Sequence, residues 1–195
     1  MAGAKGDLLR LGGLTSVVVP LMGLGILSQV TAAILAWTSS LLYARYEGWL
    51  EFPQFIGWLV FVVWFYRAHR NLERGQVKHL RFAHWWTWAG FLIPILNLYR
   101  PIQVMRETLW GSQDLRPLEG RVSSMGAFSR AALLVNLWWL SFLLSFAVAV
   151  VFGSEGDASG VAEVVAELLV AASNAILIRV VLQVTALQDA AHLTR

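Results

Sequence analysis

Three stretches of this chain, Leu14 to about Tyr43, Phe128 to Phe152 and Val161 to Leu187, stay apolar for longer than the ~20 residues a helix needs to cross a bilayer. In hydrocarbon each backbone N–H and C=O must be satisfied inside the structure, and unbroken apolar runs lack the alternation of a β-barrel, so these segments are predicted helices. A further span is expected from about Phe55 to Tyr66, continuing as helix through Arg74. With 57% hydrophobic residues and a mean hydropathy of +0.61, the composition excludes an ordinary soluble domain. Val30-Thr31-Ala32-Ala33 has the small residues of a processing site, but hydrophobicity continues to Leu42, which favours an uncleaved first span.

One apolar run is too short. Trp85 to Leu98 has 14 residues, is disturbed by Pro94, and ends at Asn97, Arg100 and Pro101. Segments of that length more often enter a membrane and return, or lie at its surface, than cross it. Charge supplies a second test, since ten of the 15 Lys and Arg residues fall between Arg67 and Arg130, while the connection Gly153 to Gly160 carries only Glu155 and Asp157. If the short segment crossed, the loop with Arg116, Arg121 and Arg130 would face outward and the acidic connection inward, against the positive-inside trend. The expectation is therefore an all-α integral membrane protein of the cell membrane with both termini in the cytoplasm. It has four transmembrane helices (about 14–43, 55–74, 128–152 and 161–187) and a Pro-broken re-entrant or interfacial segment (85–110) between the second and third, in one domain. A five-span arrangement is the alternative.

Candidate binding residues cluster around that segment. Arg67, Arg70, Asn71 and Arg74 share one helical face, and Gln103, Arg106, Glu107 and Trp110 repeat the i, i+3, i+4, i+7 pattern on a short helix after Pro101. If the two faces meet, they form a basic notch at headgroup level with His69, Asn97 and Arg100 beside it. Arginine suits such a site because its planar fork binds phosphate or carboxylate bidentately. The plainer expectation is that Glu73 and Glu107 pair with these arginines, and that Asn97 caps the helix following Pro101. Ser28, Ala32, Ala36 and Ser40 form a small-residue stripe for helix packing, and Trp37, Trp49, Trp58, Trp64, Trp138 and Trp139 are expected as belt anchors or lipid-facing bulk.

Enzyme chemistry has little support. The chain has no Cys, and no HExxH, GxSxG, P-loop or GxGxxG pattern, so neither a metal nor another cofactor is implied. His69 and Glu73 are spaced i, i+4, which suits proton transfer or ligation, while His79 and His84 are expected to be solvated in a basic loop. Nucleic acid is not an expected partner, because the basic residues abut Trp-rich apolar sequence. Anionic membrane lipid, a homo-oligomer or another membrane protein are the partners the pattern allows. Accessory-subunit and oligomeric channel or transporter roles remain alternatives, the last because broken helices are a transporter feature.

The order of residues in the centre is similar to a family of bacterial multi-pass membrane proteins known as domain of unknown function 4328. The similarity lies in Phe65-Tyr66-Arg67-Ala68-His69-Arg70-Asn71-Leu72, then Trp85-Trp86, Gly90, Ile93-Pro94-Ile95 and Asn97-Leu98, and finally Arg100-Pro101, Gln103-Val104-Met105, Glu107 and Trp110. The resemblance implies a multi-pass membrane protein and carries over no catalytic residue.

Overall fold

A computed structural model describes residues 8–115, 125–152 and 159–193, and its described elements are helices. They are α1 (Gly12–Thr38), α2 (Ser40–Arg74), α3 (Trp86–Leu92), α4 (Pro94–Asn97), α5 (Arg100–Asp114), α6 (Met125–Phe152) and α7 (Ser159–Leu193). Four of them, α1, α2, α6 and α7, are long and apolar enough to cross a membrane. Arg116 and Arg121, and the acidic connection with Glu155 and Asp157, lie outside the described residues.

The long helices pack as antiparallel neighbours, α1 against both α2 and α7, and α6 against α7. Register along the α1–α7 seam is marked by Leu11 N–H donating to Asp189 Oδ1 at 3.3 Å and, a turn further in, by a 2.8 Å bond between the hydroxyls of Thr15 and Thr185. Trp64 Nε1–H donates to the same Thr185 hydroxyl at 3.2 Å. Such bonds answer the cost of placing polar groups in hydrocarbon. Further along, Gln54 and Asn174 form a reciprocal amide pair, and Gly25 makes room for it, since a Cβ there would sit 2.7 Å from Gln54 Oε1. Between the helices lies an aromatic core in which Phe61 stacks on Phe65 and meets Trp138 edge-on.

These elements correct several expectations. The first span does not run to Tyr43: Ser39 is extended and its hydroxyl accepts Leu42 N–H, so α1 ends and α2 begins within two residues. The second helix therefore begins well before the expected Phe55, and Tyr43 to Pro53 is helical; Arg45, Glu47 and Glu51 there are exposed, and Pro53 is accommodated inside the helix. The small-residue stripe loses Ser40 to α2 and keeps Ala32 and Ala36, both buried with Tyr43. Trp37 and Trp49 are exposed, at 72% and 78%, whereas Trp64, Trp138 and Trp139, expected as belt anchors or lipid-facing bulk, are core.

The short helices follow from their prolines. Ile93 precedes Pro94, whose ring disfavours the helical conformation in the residue before it, and Ile93 is accordingly extended (φ −93°, ψ 112°). That breaks α3 from α4. Both α4 and α5 carry Pro in their first turn, where a missing N–H costs nothing. The turn between α4 and α5 leaves the Leu98 carbonyl outside a helix, and Trp139 Nε1–H supplies its donor at 2.8 Å.

Candidate functional site

At the end of the bundle where the chain's first and last described residues meet, α2 stops in a Schellman turn. Gln76 N–H bonds to Glu73 O and Val77 N–H to Leu72 O, with Gln76 left-handed (φ 55°) and Gly75 one position before it. Val77 packs against the cluster of Leu8, Leu72, Leu115 and Ala191, the kind of apolar contact that usually accompanies this turn. The loop then folds back over α5 and is held by two carboxylates. Glu107 accepts the backbone N–H groups of Arg81 (2.7 Å) and Phe82 (3.1 Å); Glu73 accepts His84 N–H (3.0 Å) and faces His84 Nδ1 at 2.7 Å. Charge-assisted bonds of this kind are about twice as strong as neutral ones.

Behind the loop runs a buried polar network. His69, fully buried, donates from Nε2 to the Phe82 carbonyl, which can only accept, and its Nδ1 meets the Thr108 hydroxyl; both distances are 2.9 Å. One turn along α5, Ser112 donates to Thr108 O, and Gln188 of α7 donates to Ser112 Oγ (2.8 Å) and to Ala68 O (2.9 Å). Asn71 completes the network by donating to Gln188 Oε1 and to Leu9 O while accepting Leu9 N–H at 2.7 Å. Thus α2, α5, α7, the loop and the segment before α1 share one set of satisfied groups. Gly111 lets α5 lie this close to α2, since a Cβ there would come 2.6 Å from Leu72 Cδ1.

On the opposite face of α5 the loop encloses a cavity of about 650 Å³. Its lining includes Lys78, His79 and Arg81 from the loop and Arg100, Gln103, Arg106, Glu107 and Trp110 from α5. Arg100 is held by π faces, its guanidinium carbon lying 4.6 Å from the Trp86 ring centroid, 4.9 Å from Phe82 and 5.5 Å from Tyr99. Its Nη1 donates to Gln103 Oε1 (3.2 Å), and its Nε is buried without a hydrogen-bond partner. Gly90 permits this placement, because a Cβ there would press on Arg100 Cγ at 3.1 Å. Arg106 donates from both Nε and Nη2 to Asn136 Oδ1 of α6. Among the described residues both arginines are therefore fixed by neutral groups rather than by an ion pair, while Glu107, the acid nearest them in sequence, is occupied by backbone amides. His79 is also left-handed (φ 66°), an uncommon conformation for a non-glycine residue, in the wall of the cavity.

Of the residues singled out from sequence, Arg100, Gln103, Arg106, Glu107 and Trp110 come together; Arg67, His69, Arg70, Asn71, Arg74 and Asn97 are not in the cavity lining. The expected meeting of two arginine faces is corrected: α2 meets α5 through His69 with Thr108 and Leu72 with Gly111, leaving Arg67 exposed and Arg70 over the Tyr66 ring. The expected pairing of Glu107 with the α2 arginines gives way to Arg81 and Phe82 N–H, and His84, expected to be solvated, bonds Glu73. His69 turns to Thr108 and Phe82 rather than to Glu73. Asn97 does not cap α5; Tyr99 holds that position, and Asn97 Oδ1 is buried without a partner. Sequence reading missed Lys78, His79 and Arg81 as cavity residues, and Thr108, Ser112 and Gln188 as network residues.

Among the described residues no group of three or more His, Asp or Glu is arranged to hold a metal. Four helices long and apolar enough to cross a membrane, with a broken helical segment between the second and third of them, are the pattern of a multi-pass α-helical membrane protein. The family described as Domain of unknown function (DUF4328) matches residues 28–188, most of the chain, and the chain belongs to it. No curated protein and no solved structure matches.

Proposed function

We propose that this protein is non-enzymatic and binds a phosphate- or carboxylate-bearing anion, from a lipid headgroup or a small molecule, in the cavity between the loop and α5. The carrying observation is the way Arg100 and Arg106 are held: π faces, an amide oxygen of Gln103 and an amide oxygen of Asn136 orient both forks without neutralising them.

The cavity lies on the cytoplasmic side in this reading, and the α3–α4 segment enters the bilayer and returns. Support comes from depth. Phe91 of α3 packs on Trp58 and Trp139, with ring centroids 5.7 and 6.2 Å apart. Each Trp is nine residues from an arginine, Arg67 or Arg130, which at ~1.5 Å per residue is about 13 Å into a hydrocarbon layer ~30 Å thick. The entry loop and α5 are nevertheless joined at one end by the Glu107 bonds to Arg81 and Phe82.

Total phosphorus per chain after exhaustive detergent exchange tests the reading for lipid and soluble phosphates alike. Wild type should retain about one phosphorus more per chain than the Arg100→Gln/Arg106→Gln variant, since a hydrogen bond from a charged donor contributes ~1.5–3 kcal/mol. Equal phosphorus, with melting temperatures that respond equally to added phosphate and citrate, would refute it.

A further inference from the structure

We infer that the occupant of this cavity is an anionic glycerophospholipid of the surrounding leaflet, with its phosphate between Arg100 and Arg106 and its acyl chains on the apolar surface beside them. This rests on the anion reading above and narrows it to one source.

Three observations favour an amphiphile over a soluble anion. First, both arginines adjoin apolar side chains with no protein cover. Leu98 and Tyr99, immediately before Arg100, are exposed, as are Leu133, Leu137 and Leu140, a row on α6 next to the Asn136 that holds Arg106. In this assignment the acyl chains lie on that exposed surface. Second, Tyr99 and Trp110 line the cavity while remaining about half exposed. An apolar ring beside a wet, charged space is the arrangement of the membrane–water interface. Third, apolar Val77, Leu80 and Phe82 share the lining with the cations, so the cavity is amphipathic like its ligand.

The sign of the lipid follows from charge. Lys78, Arg81, Arg100 and Arg106 outnumber Glu107 and Asp114, and both oxygens of Glu107 are engaged by the loop backbone. A choline or ethanolamine headgroup would bring a cation into an already positive space, whereas phosphatidylglycerol or phosphatidic acid would not.

The test uses the full chain in nanodiscs of phosphatidylcholine alone or with phosphatidylglycerol, with melting temperature and lipid retention by native mass spectrometry as readouts. Phosphatidylglycerol should raise the wild-type melting temperature and be retained about tenfold over Arg100→Gln or Arg106→Gln. Arg67→Gln, which removes the same charge from an exposed position outside the cavity, should behave as wild type. Should the cavity arginine variants fail to fold, Lys78→Gln, an exposed loop change, should show a smaller loss in the same direction. Stabilisation in phosphatidylcholine discs by sn-glycerol 3-phosphate or inorganic phosphate, with no preference for phosphatidylglycerol, would overturn the lipid assignment and leave the anion reading standing. No response to any of these anions would overturn both. An equal loss in Arg67→Gln would reduce the effect to general membrane electrostatics and overturn the site.

Discussion

The cavity beside α5 and a second one at the opposite end of the bundle differ less in how many charges they hold than in how those charges are held. The second, of about 420 Å³, is lined by Glu47 and Glu51 of α2, Glu163 and Glu167 of α7 and apolar residues of α6, with no Lys or Arg among its described lining residues. There the buried Glu167 carboxylate accepts a bond from the Tyr43 hydroxyl at 3.1 Å. In the basic cavity Glu107 is spent on main-chain N–H groups, and Arg100 and Arg106 rest on neutral partners. A cavity's sign is set by which charges the fold satisfies, and composition alone does not reveal this.

The contrast between the two ends breaks most easily at the buried network behind the basic cavity. Gln188→Leu would remove three buried hydrogen bonds at once, those to Ala68 O, Ser112 Oγ and Asn71 Nδ2, and a loss of about 3 kcal/mol is expected by denaturation in detergent. A loss below about 1 kcal/mol would mean the network is not a unit. Glu107→Ala should cost somewhat less, about 2–3 kcal/mol, because it frees two amides near the surface; proteolysis at Arg81 should quicken in parallel. Arg70→Ala is the contrast. With Arg70 over Tyr66 and not on Glu107, it should change stability by less than about 0.5 kcal/mol. A large effect that disappears in the Arg70→Ala/Glu107→Ala double variant would restore the ion pair expected from sequence. In the acidic cavity, Tyr43→Phe is expected to cost about 1 kcal/mol, the worth of one hydrogen bond.

Much of this architecture was legible in the residues. Four helices long and apolar enough to cross a membrane follow from apolar length, the break before Pro94 from proline sterics, and the cavity face of α5 from the spacing of Gln103, Arg106 and Trp110. The partners were not legible. Glu73 and Glu107 bind backbone amides, a feature every loop residue except proline offers, so no side chain marked Arg81, Phe82 or His84 as the acceptors' targets. A carboxylate near arginines suggests an ion pair; the turn at Gln76, invisible without a glycine in its left-handed position, carries the loop to it first. Gln188 was overlooked as one polar residue near the end of an apolar helix whose partners are 76 to 120 residues away in sequence. A weak signal did exist: Thr108 and Ser112 are spaced i, i+4 on the face of α5 that also carries Val104, Met105 and Leu109, and polar residues on an apolar face call for partners. The tryptophans misled because a belt and a core use the same residue type; Trp64, Trp138 and Trp139 face one another's helices, as their positions along α2 and α6 dictate.

The proposed site stands or falls with the broken segment starting and finishing at one end of the bundle, on the cytoplasmic side, where it builds the basic cavity. Because the chain has no native Cys, single cysteines can report this directly. Ala83→Cys precedes the segment, Asp114→Cys follows it and Thr38→Cys marks the hairpin end; all three positions are exposed. Intact cells would be treated with a membrane-impermeant maleimide, with lysed cells as the control for reactivity. The predicted result is labelling at Thr38→Cys alone. Labelling that separates Ala83→Cys from Asp114→Cys would mean that the segment crosses and would contradict this topology, as would labelling of both with Thr38→Cys protected.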